Sequence, residues 1–154
     1  MTLHLPPRPG PSLAALALVA LALSAHPLAA APTELAFEDA QGRQVMFTFA
    51  EDRTAADALV IETRRFGNPD AAIMIWIDDS TDPLTTMILD AADCGFDDEG
   101  ATCRLAVAGD SADYARFVEA FRLGRTAHIE VRNANLAEMQ DDISLDGFAT
   151  AYDR

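Results

Sequence analysis

Chemistry in this chain has to begin with His128, the one histidine beyond the first 30 residues. Imidazole is the side chain best suited to proton transfer near neutral pH. His128 sits in Thr126-Ala127-His128-Ile129-Glu130-Val131-Arg132, on the polar face of an alternating segment between Thr126 and Glu130. That setting predicts an exposed or cross-strand-paired imidazole. A Ser-His-Asp arrangement needs a serine at a strained elbow, and Ser80, Ser111 and Ser144 all lack a G-x-S-x-G setting. Lysine is absent, which excludes Schiff-base and serine–lysine chemistry. No Gly-rich phosphate loop and no H-E-x-x-H pattern occurs. A carboxylate-based hydrolase would need two acids at a defined separation in a cleft, which spacing along the chain does not report. No catalytic residue is assigned, and the chain reads as non-enzymatic.

Carboxylates are the other abundant functional groups. Asp78-Asp79-Ser80-Thr81-Asp82 places oxygen side chains at the first, third and fifth positions of a calcium loop. Pro83 then stands where that loop requires glycine, and Leu89 where it requires a bidentate glutamate. A second acidic group includes Asp97 and Asp98. Asp78, Asp82, Asp97 and Asp98 are therefore weak candidates for a divalent cation, and crowded loop carboxylates are more often solvated charge. No metal site and no cofactor is assigned.

Cys94 and Cys103 are the two cysteines. In an exported chain an even count reads as a disulfide, with a redox-active pair or metal ligands as alternatives. The C-x8-C spacing matches neither a thioredoxin-like nor a zinc-ribbon pattern. A bridge would close a loop of about ten residues and contribute about 2.7 kcal/mol in the chain-entropy model.

The expectation of export comes from residues 13–25 (LAALALVALALSA), which carry no charge and have the length of a signal-peptide core. A comfortable membrane span needs about 20 apolar residues. Arg8 supplies the positive charge before this signal helix, and cleavage is expected between Ala30 and Ala31. Residues 1–30 are then a signal peptide and 31–154 a single exported domain with no stable membrane span. Removing 30 of 154 residues leaves 124, enough for one core. The removed segment holds one arginine and no acid, so the net charge moves from −14 to −15. Such a surface repels nucleic-acid phosphates and anionic lipid head groups, so no nucleic acid is expected as a partner. The periplasm is the expected compartment, or the cell exterior.

The elements follow from periodicity. Residues 33–49 read as a hairpin, in which Leu35 and Phe37 share one face of the first strand and Val45, Phe47 and Phe49 share one face of the second, around a turn at Asp39-Ala40-Gln41-Gly42. Residues 58–64 alternate as a strand, and further strands are expected at residues 84–89 and 103–107. Residues 72–77 (AIMIWI) are apolar on both faces, which predicts a central strand covered on both sides. Residues 90–99 read as an acidic loop stapled at its base by the cysteines. A helix over about 110–123 opens on Asp110 or Ser111 and presents Tyr114, Phe117, Val118 and Phe121. It is expected to cover residues 72–77, with Gly124 at its C′ position. A last strand within residues 136–145 precedes a short helix that brings Phe148 and Tyr152 one turn apart. The fold class is α+β: a mainly antiparallel sheet or sandwich of six to eight strands, one main helix and a short C-terminal helix.

The C-terminal third, with F-R-L-G closing the helix and I-S-L-D-G-F-A-T-A-Y closing the chain, resembles the invasion-associated locus B family of small exported bacterial proteins. The residues that carry the resemblance are Phe121, Leu123, Gly124, Val131, Ser144, Leu145, Gly147, Phe148 and Ala151. The wide cysteine spacing and the lack of an N-terminal tryptophan–cysteine region depart from that family's pattern. The resemblance implies a periplasmic β-rich protein linked to the envelope or to host-cell association, with no catalytic residues to carry over. The expected role is binding to an unknown protein or envelope partner, with the acidic face and the cysteine loop as the contact surface. Weak divalent-cation binding through the acidic loops is the alternative.

Overall fold

A computed structural model describes residues 32–67, 69–134 and 136–154. The expected signal peptide and its Ala30–Ala31 cleavage site lie outside the described residues. Alternating apolar residues build the first layer. Strands β1 (Thr33–Glu38) and β2 (Gln44–Phe49) form the expected hairpin, with Leu35 opposite Phe47 and Phe37 opposite Val45. Gly42 takes a φ of 76° in its turn, a conformation open to glycine at no steric cost. Strand β3 (Leu59–Phe66) continues the sheet, two residues beyond its expected end. Strict alternation from Leu59, Ile61 and Thr63 would point Arg65 inward. A bulge at Arg65, with φ at 67°, absorbs one residue and turns Phe66 into the core instead.

Strand β4 (Ala72–Ile77) begins the second layer and pairs with β5 (Thr85–Ile88). A single 3-10 turn at Ala91–Asp93 leads to β6 (Cys94–Asp97) and β7 (Gly100–Val107). The expected acidic loop is thus a β-hairpin whose only unpaired residues between strands are Asp98 and Glu99. Cys94 and Cys103 stand directly opposite one another in this ladder and form the disulfide, with Cα atoms 4.0 Å apart. Helix α1 (Ala112–Leu123) follows, then β8 (Thr126–Asn133), β9 (Leu136–Ser144) and helix α2 (Phe148–Tyr152).

Two antiparallel sheets result, one ordered β1-β2-β3-β7-β6 and the other β5-β4-β8-β9. The fold class is the expected α+β, with nine strands among the described residues; β6 is the strand that the acidic sequence hid. The inner faces share one core: Val45, Phe47, Leu59 and Ile61 from the first sheet, Ile73, Ile75, Ile129 and Val131 from the second. Burying such side chains contributes about 1.5–3 kcal/mol each relative to exposure.

Helix α1 is capped as its sequence suggests. Ser111 Oγ accepts from the Tyr114 amide at 3.1 Å, and Asp113 and Arg122 place opposite charges at the two ends of the helix dipole. Its packing differs from expectation. Phe121 stacks edge-on against Phe47 at 5.5 Å and Phe49 at 5.7 Å, so the helix packs on β2 of the five-stranded sheet. It does not cover the second face of β4, where Met74 and Trp76 remain partly exposed. Gly124 also ends the helix differently, at an ordinary φ of −79°. Glycine is needed there for room: a Cβ would meet Ile77 Cγ2 at 2.4 Å. Helix α2 completes the plug, with Phe148 4.9 Å and Tyr152 5.9 Å from the Phe49 ring.

Candidate functional site

Pleating assigns the residues of β8 to two environments. Ala127, Ile129 and Val131 point into the core, so His128, Glu130 and Arg132 must stand on the outer face. The neighbouring strands obey the same rule. Trp76 of β4 lies beside His128, and His128 lies beside Asp142 of β9. One row over, Met74, Glu130 and Gln140 are paired in the same way. Two cross-strand rows therefore set the chain's one tryptophan among four polar side chains on a sheet face that neither helix of the described residues covers. Trp76, His128, Glu130, Gln140 and Asp142 line a groove of about 370 Å³.

The polar groups in the groove are held in hydrogen-bonded pairs. His128 Nδ1 lies 2.6 Å from Asp142 Oδ1. Donation from Nδ1 to the carboxylate leaves Nε2 of the neutral ring as an acceptor. Glu130 is only 7% exposed and is bound by the Arg132 guanidinium, with Nε donating at 2.6 Å. Leaving a carboxylate this buried without a hydrogen-bonded partner would be costly.

Asp78 fixes one end of the groove. It ends β4 with a φ of 51°, and its Oδ1 accepts from the Arg125 and Thr126 amides at 3.0 Å each. Those two hydrogen bonds, first from Arg125 and then from Thr126, hold its carboxyl below the usual carboxylate range. The contact ties the end of β4 to the start of β8 and so sets the register that puts Trp76 beside His128. A second hollow of about 280 Å³, lined by Asp78, Asp79, Arg125, Thr126 and His128, continues the groove past the imidazole.

The sequence-derived candidates distribute as follows. Cys94 and Cys103 form a disulfide that braces β6 on β7. His128 is the cross-strand-paired imidazole that its alternation predicted. Asp78 acts as a backbone cap, and Asp82 offers its backbone groups to Ser80 Oγ in the β4–β5 connection. Asp97 Oδ1 accepts from the Glu99 amide in the β6–β7 turn, beside Asp98. Among the described residues, no three His, Cys, Asp or Glu side chains gather in a way that could hold a metal ion. No helix among them is long and apolar enough to cross a membrane.

Sequence reasoning missed Trp76, Glu130, Gln140 and Asp142 as a group. The available signal was the polar face of β8, which requires its neighbours' matching faces to be uncovered too. The arrangement is half of a hydrolytic triad at most: among the described residues, no serine, threonine or cysteine side chain hydrogen-bonds the imidazole. What it can do is present donors, acceptors and one aromatic ring to a ligand lying across the strands. No family model, curated protein or solved structure matches the chain.

Proposed function

We propose that this chain is a small exported, non-enzymatic binding protein of the periplasm or cell envelope, and that it binds through the outer face of its four-stranded sheet. The observation that supports this most directly is the Trp76–His128–Asp142 row. A large amphipathic ring is left partly exposed on a strand whose other face buries Ile73 and Ile75 completely. Beside it, His128 and Asp142, and Glu130 and Arg132, are already oriented by hydrogen bonds to one another, so little ordering is required when a ligand arrives. The acidic hairpin tip offers less as a contact surface. Asp97 closes its own turn, and Glu99 is engaged by Arg65 at 3.0 Å.

Export is supported by the uncharged segment 13–25 and by the disulfide, which suits an oxidising compartment. The likeness of the C-terminal third to the invasion-associated locus B family points the same way. The test is retention of cell-envelope material by the immobilised exported protein and by its Trp76→Ala variant. Retention by the wild type alone supports the reading. Equal retention by both removes the sheet face from it, and a cytoplasmic protein still carrying residues 1–30 would overturn the export.

A further inference from the structure

We infer that the ligand of this face is a neutral oligosaccharide, stacked on Trp76 and hydrogen-bonded by the His128–Asp142 pair and Gln140. The inference rests on the binding face proposed above and names the chemistry that the face selects. An indole ring carries a negative π-face, which favours the weakly positive C–H face of a pyranose ring. The stack needs a flat approach, and a pleated sheet surface that no helix among the described residues covers provides one. The sugar's hydroxyls then need both donors and acceptors at its rim. Gln140 supplies an amide with both roles, His128 an imidazole nitrogen, and Asp142 the carboxylate oxygen not engaged by the ring.

The pairing of charges argues for a neutral ligand. The guanidinium of Arg132 is already closed on Glu130, and the other charged groups lining the groove, Asp142 beside His128 and Asp141, are carboxylates that repel an anion. The row offers no lone cation to a phosphate or uronate, Arg125 in the adjoining hollow shares it with Asp78 and Asp79, and the whole chain carries −14, which repels anionic polymers. The hollow beyond His128 extends the groove along the strand ends, so the ligand is longer than one ring. A quaternary ammonium is the competing occupant, because it too would sit over an indole near carboxylates.

Trp76 is the only tryptophan in the chain, so its emission reports on this face alone. The experiment titrates the exported protein with neutral tetra- to hexasaccharides of glucose, mannose and N-acetylglucosamine, and in parallel with tetramethylammonium, following Trp76 fluorescence. At least one saccharide series is expected to shift the emission saturably, with affinity rising with chain length. Gln140→Ala, at an exposed position that leaves the core intact, should weaken that binding about tenfold, and Trp76→Ala, checked for native circular dichroism, should abolish it in calorimetry. Saturation by tetramethylammonium without any saccharide response would overturn the inference. So would silence from every saccharide while Trp76→Ala still loses envelope retention, an outcome in which the binding face stands and only its ligand class falls. Unchanged retention in Trp76→Ala would remove the face and the inference together.

Discussion

Tyr114 and Tyr152 meet hydroxyl to hydroxyl at 2.8 Å, joining the first turn of α1 to the last residue of α2. Arg53 lies over the Tyr152 ring at 3.4 Å from its centroid and donates to the Tyr152 carbonyl at 2.5 Å. Three segments far apart in sequence are thereby locked around one end of the core. Burial first, and the hydrogen bond that the Tyr114 hydroxyl donates to Tyr152 second, push the Tyr114 phenol up from 10.0 to about 12. A raised folded-state pKa means that the unfolded chain releases this proton first. The contribution is complete below the unfolded value and is lost as pH rises through the folded one. Stability should therefore fall between pH 10 and about 12. In Tyr114→Phe that limb should flatten, while loss of the hydrogen bond costs about 1 kcal/mol at neutral pH. Urea midpoints measured across the alkaline range check both effects.

The disulfide should act locally. Because Cys94 and Cys103 are direct ladder partners, reduction frees β6, an edge strand held by β7 alone. Replacing both cysteines with alanine should lower stability by about 2–3 kcal/mol. Hydrogen exchange should lose protection in β6 first and leave the Trp76 face unchanged.

Gly109 should be intolerant of any side chain. A Cβ there would come within 1.9 Å of the Arg53 carbonyl oxygen and 3.0 Å of Ala58 Cβ. Gly109→Ala is expected to cost about 3 kcal/mol, the upper end of the overpacking range, because the obstacle is backbone. Denaturation midpoints compared at constant m-value measure it.

Asp78 should carry part of the acid sensitivity. Its folded-state pKa is depressed by the Arg125 and Thr126 amides, so its contribution is present above the unfolded value and fades as pH falls through the depressed one. Asp78→Asn keeps an acceptor oxygen and tolerates the positive φ, but does not titrate. Its melting temperature should be lower than wild type at neutral pH and converge on it in acid.

Thr63 offers a gain. It is fully buried, and among the described residues its Oγ1 has no hydrogen-bond partner. Thr63→Val removes an unsatisfied hydroxyl at nearly constant shape and should raise stability by about 1 kcal/mol, read as a higher urea midpoint.

How much of this was legible in the chain depends on the range of the interaction concerned. Local chemistry was readable: Ser111 as a helix cap, Gly42 in the hairpin turn, the alternation that places His128 outward. Each depends on neighbours within a few residues. The strand Cys94–Asp97 was hidden because its pairing with β7, not its acidic sequence, makes it a strand. The run Ala72–Ile77 looked covered on both faces because hydrophobicity reports a preference for burial and cannot say whether a cover arrives.

The sequence by itself determined the α+β class, the turn and cap positions, and which face of each strand could be apolar. Only the tertiary structure decided that α1 seals the core against Phe47 and Phe49 and leaves Trp76 uncovered. It also decided that Trp76, His128 and Asp142 share one row, although the first two are 52 residues apart in the numbering. The reason is physical: register between distant strands is fixed by the packing of the whole inner face and by ties such as Asp78 to the Thr126 amide. No short window of sequence contains that information.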